Sequence, residues 1–259
     1  MKKNKTKERL RRGESVAGTL IYTTDATNVE IAAAAGLDFV VIDTEHSSKN
    51  TETVVEMVRA ANAFDITPMV RARGYDDPRL LNYLEAGVQG VVIPMMETAA
   101  QAMAANDVLR YPPAGNRGNC TVTRNARYGD HRANFAEYQQ ACNDELLCVG
   151  LIETSAGVKN LAAILDTGVD VTITGRVDLA ASLGVSGQFN HPLVTEAAAR
   201  ALTTVTAHET AFAGHIPYDV TEMQNFAAQG YQFFLYSADV FILRNALQDF
   251  ARQIPGRNV

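Results

Sequence analysis

Eight short apolar, β-branched runs, separated by stretches with helical spacing, predict an α/β chain of the (β/α)8 class, the TIM barrel. The runs are AGTLIY (17–22), DFVVID (38–43), TPMVRAR (67–73), QGVVIP (89–94), LCVGLIE (147–153), VDVTITG (169–175), AFAGHI (211–216) and QFFLYS (232–237). Nearly every position in them is apolar, the pattern of parallel strands covered by helices on both sheet faces. Glycine closes several of the intervening stretches, in AAAAGLDFVV, LEAGVQGVV, LDTGVDVTI and AAQGYQFFL, where it suits the left-handed position just past a helix end. Eight such units in 259 residues match the length of one barrel.

Taken in order, the stretches Thr51–Phe64, Pro78–Ala86, Ala99–Arg110, Gly157–Asp166, Pro192–Thr206 and Val220–Gln229 carry apolar residues at helical spacing, and a last helix is expected at Val240–Gln253. One segment breaks the rhythm. Met95–Glu145, containing YPPAGNRG, is too long for an ordinary connection and is expected to be functional or to form an interface. A doubly wound open sheet is the competing architecture, but no GxGxxG follows the first run. With no linker and no low-complexity tract, residues 1–259 are expected to form a single barrel domain. The basic start, Met1–Arg12, is read as a solvated helix turn or tail, with an interaction arm as the alternative.

Composition narrows the function. A net charge of −6 gives no footprint for nucleic acid or an anionic membrane, so a small molecule or another copy of the chain is the expected partner. Three cysteines without CxxC spacing signal neither a disulfide framework nor a cysteine zinc site, which fits a reducing, cytoplasmic setting. The start is not followed by an uninterrupted apolar stretch, so no secretory signal is expected, and no window approaches a membrane span.

In a barrel of this class the chemistry comes from the carboxyl ends of the strands, and the charges of this sequence gather there. The second run ends in Asp43-Thr44-Glu45-His46, the third carries Arg71 and Arg73, the fifth ends in Glu153, and the sixth continues into Gly175-Arg176-Val177-Asp178. Glu153 and Asp178 offer hard oxygen ligands, which favour Mg²⁺ or Mn²⁺, with Co²⁺ within range. Arg71 is a permanent planar cation suited to a carboxylate or a developing enolate oxygen. His46, with acidic neighbours to orient it, is the candidate general base. Together these groups suit removal of a proton next to a carbonyl.

Lysine scarcity bears on the mechanism. The chain has six lysines against seventeen arginines, and none of the eight runs contains one. A Schiff-base aldolase needs a lysine projecting from a strand, so imine chemistry is disfavoured; Lys49 falls past the second run and Lys159 within a helix.

At these residues the sequence resembles the HpcH/HpaI aldolases, metal-dependent class II pyruvate aldolases that include siderophore-type citrate synthase relatives. The resemblance runs from about Ala17 to Ala246, through DFVVIDTEHSSKN, PMVRARGYDDP, LLNYLEAGVQGVVIPM, RYPPAGNRG, GLIETSAGVKNL and GRVDLAASLGVSGQFNHP. It implies that Glu153 and Asp178 hold a divalent ion and that Arg71 contacts the carbonyl and enolate oxygen of pyruvate or oxaloacetate. It further implies that His46 is the acid/base residue, oriented by Asp43 or Glu85, and that the N–H groups of Val177 and Asp178 bind the substrate carboxylate. An aldehyde would be the second substrate; in the citrate-synthase-like alternative, acetyl-CoA condenses with oxaloacetate. A homo-oligomer built from dimers, up to a hexamer, with the C-terminal helix exchanged between subunits, is also implied.

Three positions depart from the resemblance or lie outside it. Arg176 stands where the family commonly has proline, and is read either as recognising a second carboxylate or as a surface arginine pointing away. His215 and Tyr236 end the seventh and eighth runs and are candidates for setting acceptor specificity, with a core role as the alternative for His215. His131, His191 and His208 are assigned to loops or helix surface, and Arg117 of YPPAGNRG to a structural salt bridge or an interface. A barrel that binds without catalysing is the reading from outside enzymology; unused buried charges would be costly to keep.

Overall fold

The computed structural model describes residues 2–255. Its strands are β1 (Val16–Ile21), β2 (Phe39–Asp43), β3 (Thr67–Arg71), β4 (Gly90–Ile93), β5 (Leu147–Ile152), β6 (Val171–Thr174), β7 (Phe212–His215) and β8 (Phe233–Ala238). All pair in parallel with their sequence neighbours, and β8 pairs with β1, so the sheet closes into a barrel. Each of the eight predicted runs is a strand. The helices are α1 (Lys5–Arg11), α2 (Thr27–Ala34), α3 (Thr51–Ala63), α4 (Leu80–Ala86), α5 (Ala99–Leu109), α6 (Phe135–Glu145), α7 (Ser155–Lys159), α8 (Leu161–Leu165), α9 (Arg176–Ser182), α10 (Pro192–Thr206), α11 (Val220–Ala228) and α12 (Asp239–Arg252). The expected helix over Gly157–Asp166 is broken at Asn160 into α7 and α8.

Side chains alternate between two cores, as the period of two along a strand requires. Phe39, Val41, Met69, Val92, Val149, Ile173, Phe233 and Leu235 fill the barrel interior. Val40, Ile42, Val70, Val91, Ile93, Ala213 and Phe234 face outward and pack under the helices. Inside, the rings of Phe39 and Phe233 stack with centroids 4.3 Å apart, and β1 accommodates them only at a glycine. A Cβ on Gly18 would lie 2.3 Å from Phe39 Cδ2 and from its carbonyl oxygen.

The basic start is helical, but it is not a solvated tail. α1 crosses the amino-terminal mouth of the barrel and meets the backbone at the strand starts. Asn4 Nδ2 donates to the carbonyls of Gln89 (3.0 Å) and Glu145 (2.8 Å), and Thr6 Oγ1 donates to that of Asp38 (3.2 Å). Lys7 Nζ donates to Leu146 O (2.7 Å) and pairs with Asp170 (2.8 Å). Burial draws Lys7 below the usual lysine range, while Asp170 opposes that shift. The helix ends with Leu10 inserted into the interior core.

The long segment after β4 contains α5 and α6, so its irregular part shrinks to residues 110–134. A small core of Tyr111, Ala126, Tyr138 and Cys142 holds it. Arg117, expected in a structural salt bridge or an interface, is buried and lies 4.4 Å over the Tyr111 ring, and no ion pair of it occurs among the described residues. Among the described residues no helix is long and apolar enough to cross a membrane.

Gly18→Ala is expected to destabilise the fold by at least about 3 kcal/mol, because the ring and backbone it meets are both fixed in the closed sheet. A urea midpoint lowered at unchanged m-value is the expected measurement; an unaltered midpoint would show that the barrel can relax.

Candidate active site

Asp43 and Arg71 end β2 and β3, and they are register partners at the last pair of that ladder. Their Cα atoms are thus neighbours, and the side chains meet. Arg71 Nε donates to Asp43 Oδ1 at 2.7 Å, with Glu45 Oε2 a further 3.3 Å contact. Arg71 Nη2 donates to the Tyr22 hydroxyl at 2.8 Å. Asp43 is fully buried, and its second oxygen accepts the backbone N–H of His46 at 3.1 Å. One carboxylate therefore aims the arginine and folds the loop that carries the histidine.

His46 projects from that loop with 64% of its side chain exposed, and its Nε2 lies 3.6 Å from Glu45 Oε2. Of the two residues expected to orient it, Asp43 acts on the His46 backbone and not on the ring. Glu85 does not reach it. Glu85 lies on α4, beside the long segment, where its carbonyl accepts the N–H of Asn125 at 2.9 Å; among the described residues no hydrogen bond or ion pair joins it to His46.

Glu153 follows β5 directly and is 7% exposed. Its Oε1 accepts the N–H of Met95 at 2.8 Å, and Met95 adopts a φ of 51°. Gly175 makes room for it, since a Cβ there would stand 2.7 Å from Glu153 Oε2. Burial pushes the Glu153 carboxyl up to about 7, with the charges of Asp178 and Glu45 adding to the shift and the Met95 N–H and Arg71 opposing it. Glu45 is raised too, by burial first, against Arg71 and His46. Asp178 is exposed in the first turn of α9, beside Val177.

Three expected contacts fall elsewhere. Arg176 is buried and turned toward α11: its Nη2 pairs with Glu222 at 2.8 Å, and its guanidinium lies 4.7 Å over the Tyr218 ring. A cation already neutralised in this way is not presented to a second carboxylate. His215 is outward-facing like Ala213 two residues before it, fully buried, and stacked on Phe226 with centroids 3.6 Å apart. Burial first, and then Arg176, hold it down at about 3, so it is a neutral core residue. Tyr236 shares the outward parity of Phe234 on β8. Ser237, with φ 52°, is the residue that reaches the mouth instead.

Sequence reasoning passed over Tyr22, Glu45 and Lys49. Tyr22 ends the first apolar run, and Glu45 sits inside the strand-end motif, so position alone signalled both. Lys49 is 3% exposed, with Nζ donating to Ile21 O (2.9 Å), Tyr22 O (2.9 Å) and Ser47 Oγ (3.0 Å). Burial lowers its pKa, which imine chemistry would require, yet three acceptors enclose the nitrogen. Beside Tyr22 opens a cleft of about 510 Å³, walled by Leu20, Ile216, Tyr218, Ser237, Phe241 and Arg244.

His131 stacks on Tyr138, His191 caps α10 through its Nδ1, and His208 faces Asp166 at 3.7 Å, so none of the three enters the site.

The chain is similar to known proteins over nearly its whole length. The model of the HpcH/HpaI aldolase/citrate lyase family matches residues 18–246. The 2-keto-3-deoxy-L-rhamnonate aldolase of Escherichia coli (strain K12) is 33% identical over 258 residues, covering 98% of this chain and 95% of that one. Among solved structures, an HpcH/HpaI aldolase from Desulfitobacterium hafniense DCB-2 superposes with a TM-score of 0.90 at 28% identity, covering 98% of both chains. The citrate synthase SbnG superposes with a TM-score of 0.86 at 28% identity, covering 95% of both. The chain belongs to the HpcH/HpaI aldolase/citrate lyase family and is a carbon–carbon lyase of that family.

Proposed function

We propose that the chain makes and breaks the carbon–carbon bond of 4-hydroxy-2-oxo acids through the enolate of pyruvate or oxaloacetate, with an aldehyde as partner. The observation that carries this reading is the Arg71 guanidinium. Two of its nitrogens are held by Asp43 and Tyr22, and Nη1 has no partner among the described residues. A largely buried cation aimed in this way, 12% exposed, suits an oxygen that becomes more negative as the reaction proceeds.

The donor set fits a divalent cation. Glu45, Glu153 and Asp178 crowd negative charge into one site, and two of them have their pKa values raised there. Among the described residues no three His, Cys, Asp or Glu groups are placed to hold a metal. Glu153 and Asp178 would be the two carboxylates that hold Mg²⁺, Mn²⁺ or Co²⁺, with the remaining positions left for substrate and water. When bound, the ion supplies Lewis-acid polarisation of the substrate's carbonyl.

The chain's own groups do the rest. Arg71 binds the carbonyl oxygen and stabilises it as an enolate; the first-turn N–H groups of Val177 and Asp178 meet the carboxylate. His46, on the exposed side of the site, takes the proton from the 4-hydroxyl as the aldehyde departs and returns one to C3. The aldehyde side of the substrate fits the cleft beside Tyr22.

A second copy of the chain completes the assembly. On α12, Val240, Leu243, Leu247 and Phe250 recur at 3-4-3 spacing and are 42–69% exposed. An apolar stripe of that length on a helix calls for a partner surface, consistent with dimer-based assembly and exchange of this helix.

Arg71→Ala and Glu153→Ala are each expected to slow C3 deuterium exchange from pyruvate by roughly 100-fold or more, read by NMR; exchange at the wild-type rate would sink the proposal. Thiol release from acetyl-CoA plus oxaloacetate, without aldol cleavage, would move the reading to the citrate-synthase-like alternative.

Metal-free protein should also show the Glu153 shift. Its folded-state pKa of about 7 lies above the ordinary 4.5, so the folded chain keeps a proton that the unfolded chain releases, and stability falls as pH rises from about 4.5 to 7. Calorimetry is expected to show this fall reduced in Glu153→Gln, with Mg²⁺ raising the wild-type Tm more at pH 8 than at pH 5.5. Identical pH profiles for the two proteins would contradict it.

Sedimentation equilibrium should find the wild-type chain in oligomers, with Leu243→Glu/Leu247→Glu shifting it toward monomer; a monomeric wild type would rule out the partner surface.

A further inference from the structure

We infer that Lys49 is a positioning residue of the active site, clamping the His46 loop to the end of β1. The inference rests on the aldolase reading above and adds a residue to it. The β1–β2 ladder stops at the pair Ile21–Ile42. Beyond it β1 and β2 separate, and the loop from Thr44 to Asn50 runs on to α3. The Lys49 ammonium fills that gap, donating to both carbonyls at 2.9 Å and to Ser47 Oγ at 3.0 Å. Ser47 in turn donates to the carbonyl of Asp43, so the loop is tied at its root and to the neighbouring strand.

Both ends of the clamp lead to the chemistry. On the loop side, Ser47 is adjacent to His46, whose N–H is held by Asp43. On the strand side, Tyr22 is fixed at three points: its carbonyl by Lys49, its N–H by Asp239 Oδ1 at 2.8 Å, and its hydroxyl by Arg71 at 2.8 Å. Asp239 also accepts from the N–H of Thr23 at 3.1 Å, so the strand end is braced without Lys49, whereas Lys49 alone among these groups bridges the strand end to Ser47. Loss of the ammonium therefore frees the His46 side more than the Arg71 side. A neutral side chain of equal length would fill the space and remove the ammonium donor from the buried Ile21 carbonyl, the part-buried Tyr22 carbonyl and Ser47.

The test compares wild type with Lys49→Met and Ser47→Ala in C3 deuterium exchange from pyruvate with Mg²⁺, measuring kcat and KM separately. Lys49→Met is expected to lower kcat about tenfold or more while KM stays within about threefold, since a misplaced acid/base group costs rate and leaves the arginine's grip on the substrate. Ser47→Ala removes the loop-side contact together with Ser47's own bond to the Asp43 carbonyl, keeps both strand-side bonds of Lys49, and should show the same split more weakly, which decides the matter if Lys49→Met fails to fold. Wild-type kcat in a folded Lys49→Met, or a KM rising in step with the fall in kcat, overturns the inference while Arg71→Ala still tests the aldolase reading by itself. A wild-type protein that exchanges no hydrogen overturns both.

Discussion

The ion pair of buried Asp43 and part-buried Arg71 organises the site, and sheet register makes it. The two residues are the final matched pair of β2 and β3, so closing the barrel brings their side chains together with no help from a loop. Register in a barrel is strongly specified, because a slip of one residue would exchange the interior and exterior faces of a strand. Here such a slip would move Phe39 and Val41 out of the barrel and turn Asp43 away from Arg71. Packing of the core and orientation of Arg71 are thus one constraint, and Tyr22, Glu45 and the His46 loop are arranged around it.

Electrostatics then set what the site lacks. Arg71 is one cation among Asp43, Glu45, Glu153 and Asp178, and the excess negative charge shows in the raised carboxyls of Glu153 and Glu45. A divalent cation would neutralise that excess, and enolate formation adds further negative charge beside it. The amino-terminal mouth is closed by different means. There α1 supplies donors to carbonyls at strand starts, and Lys7 buries a charge against Asp170, far from any chemistry. The charges of the proposed active site and those of α1 occupy opposite ends of the same barrel.

Much of this was legible in the sequence. Strands buried on both faces are apolar throughout, which is why eight runs in a row announced the barrel, and charges breaking those runs marked Asp43, His46, Arg71 and Glu153. Parity along a strand was harder to read. Tyr236, and His215 in one of its two readings, belong at the mouth because they end apolar runs, yet runs apolar on both faces carry no alternation to say which side a residue takes; the core reading of His215 is the one its burial matches. Arg176 looked free because Glu222, its partner, is 46 residues away on α11. Lys49 was discounted for lying past its strand, and its burial follows from loop geometry that no local pattern encodes. The basic start misled for a related reason: a short charged helix reads as solvated until the carbonyls it serves are seen.

On the proposed mechanism Asp43 aims Arg71 at an oxygen that turns negative during the reaction. Calorimetric titration of oxalate, a mimic of the pyruvate enolate, into Mg²⁺-loaded wild type and Asp43→Asn tests it most directly. Oxalate should bind wild type more tightly than pyruvate does, since stabilisation grows toward the transition state, and Asp43→Asn should weaken oxalate about tenfold or more with a smaller effect on pyruvate. Equal affinities for the two anions, or oxalate binding untouched by the substitution, would contradict the account.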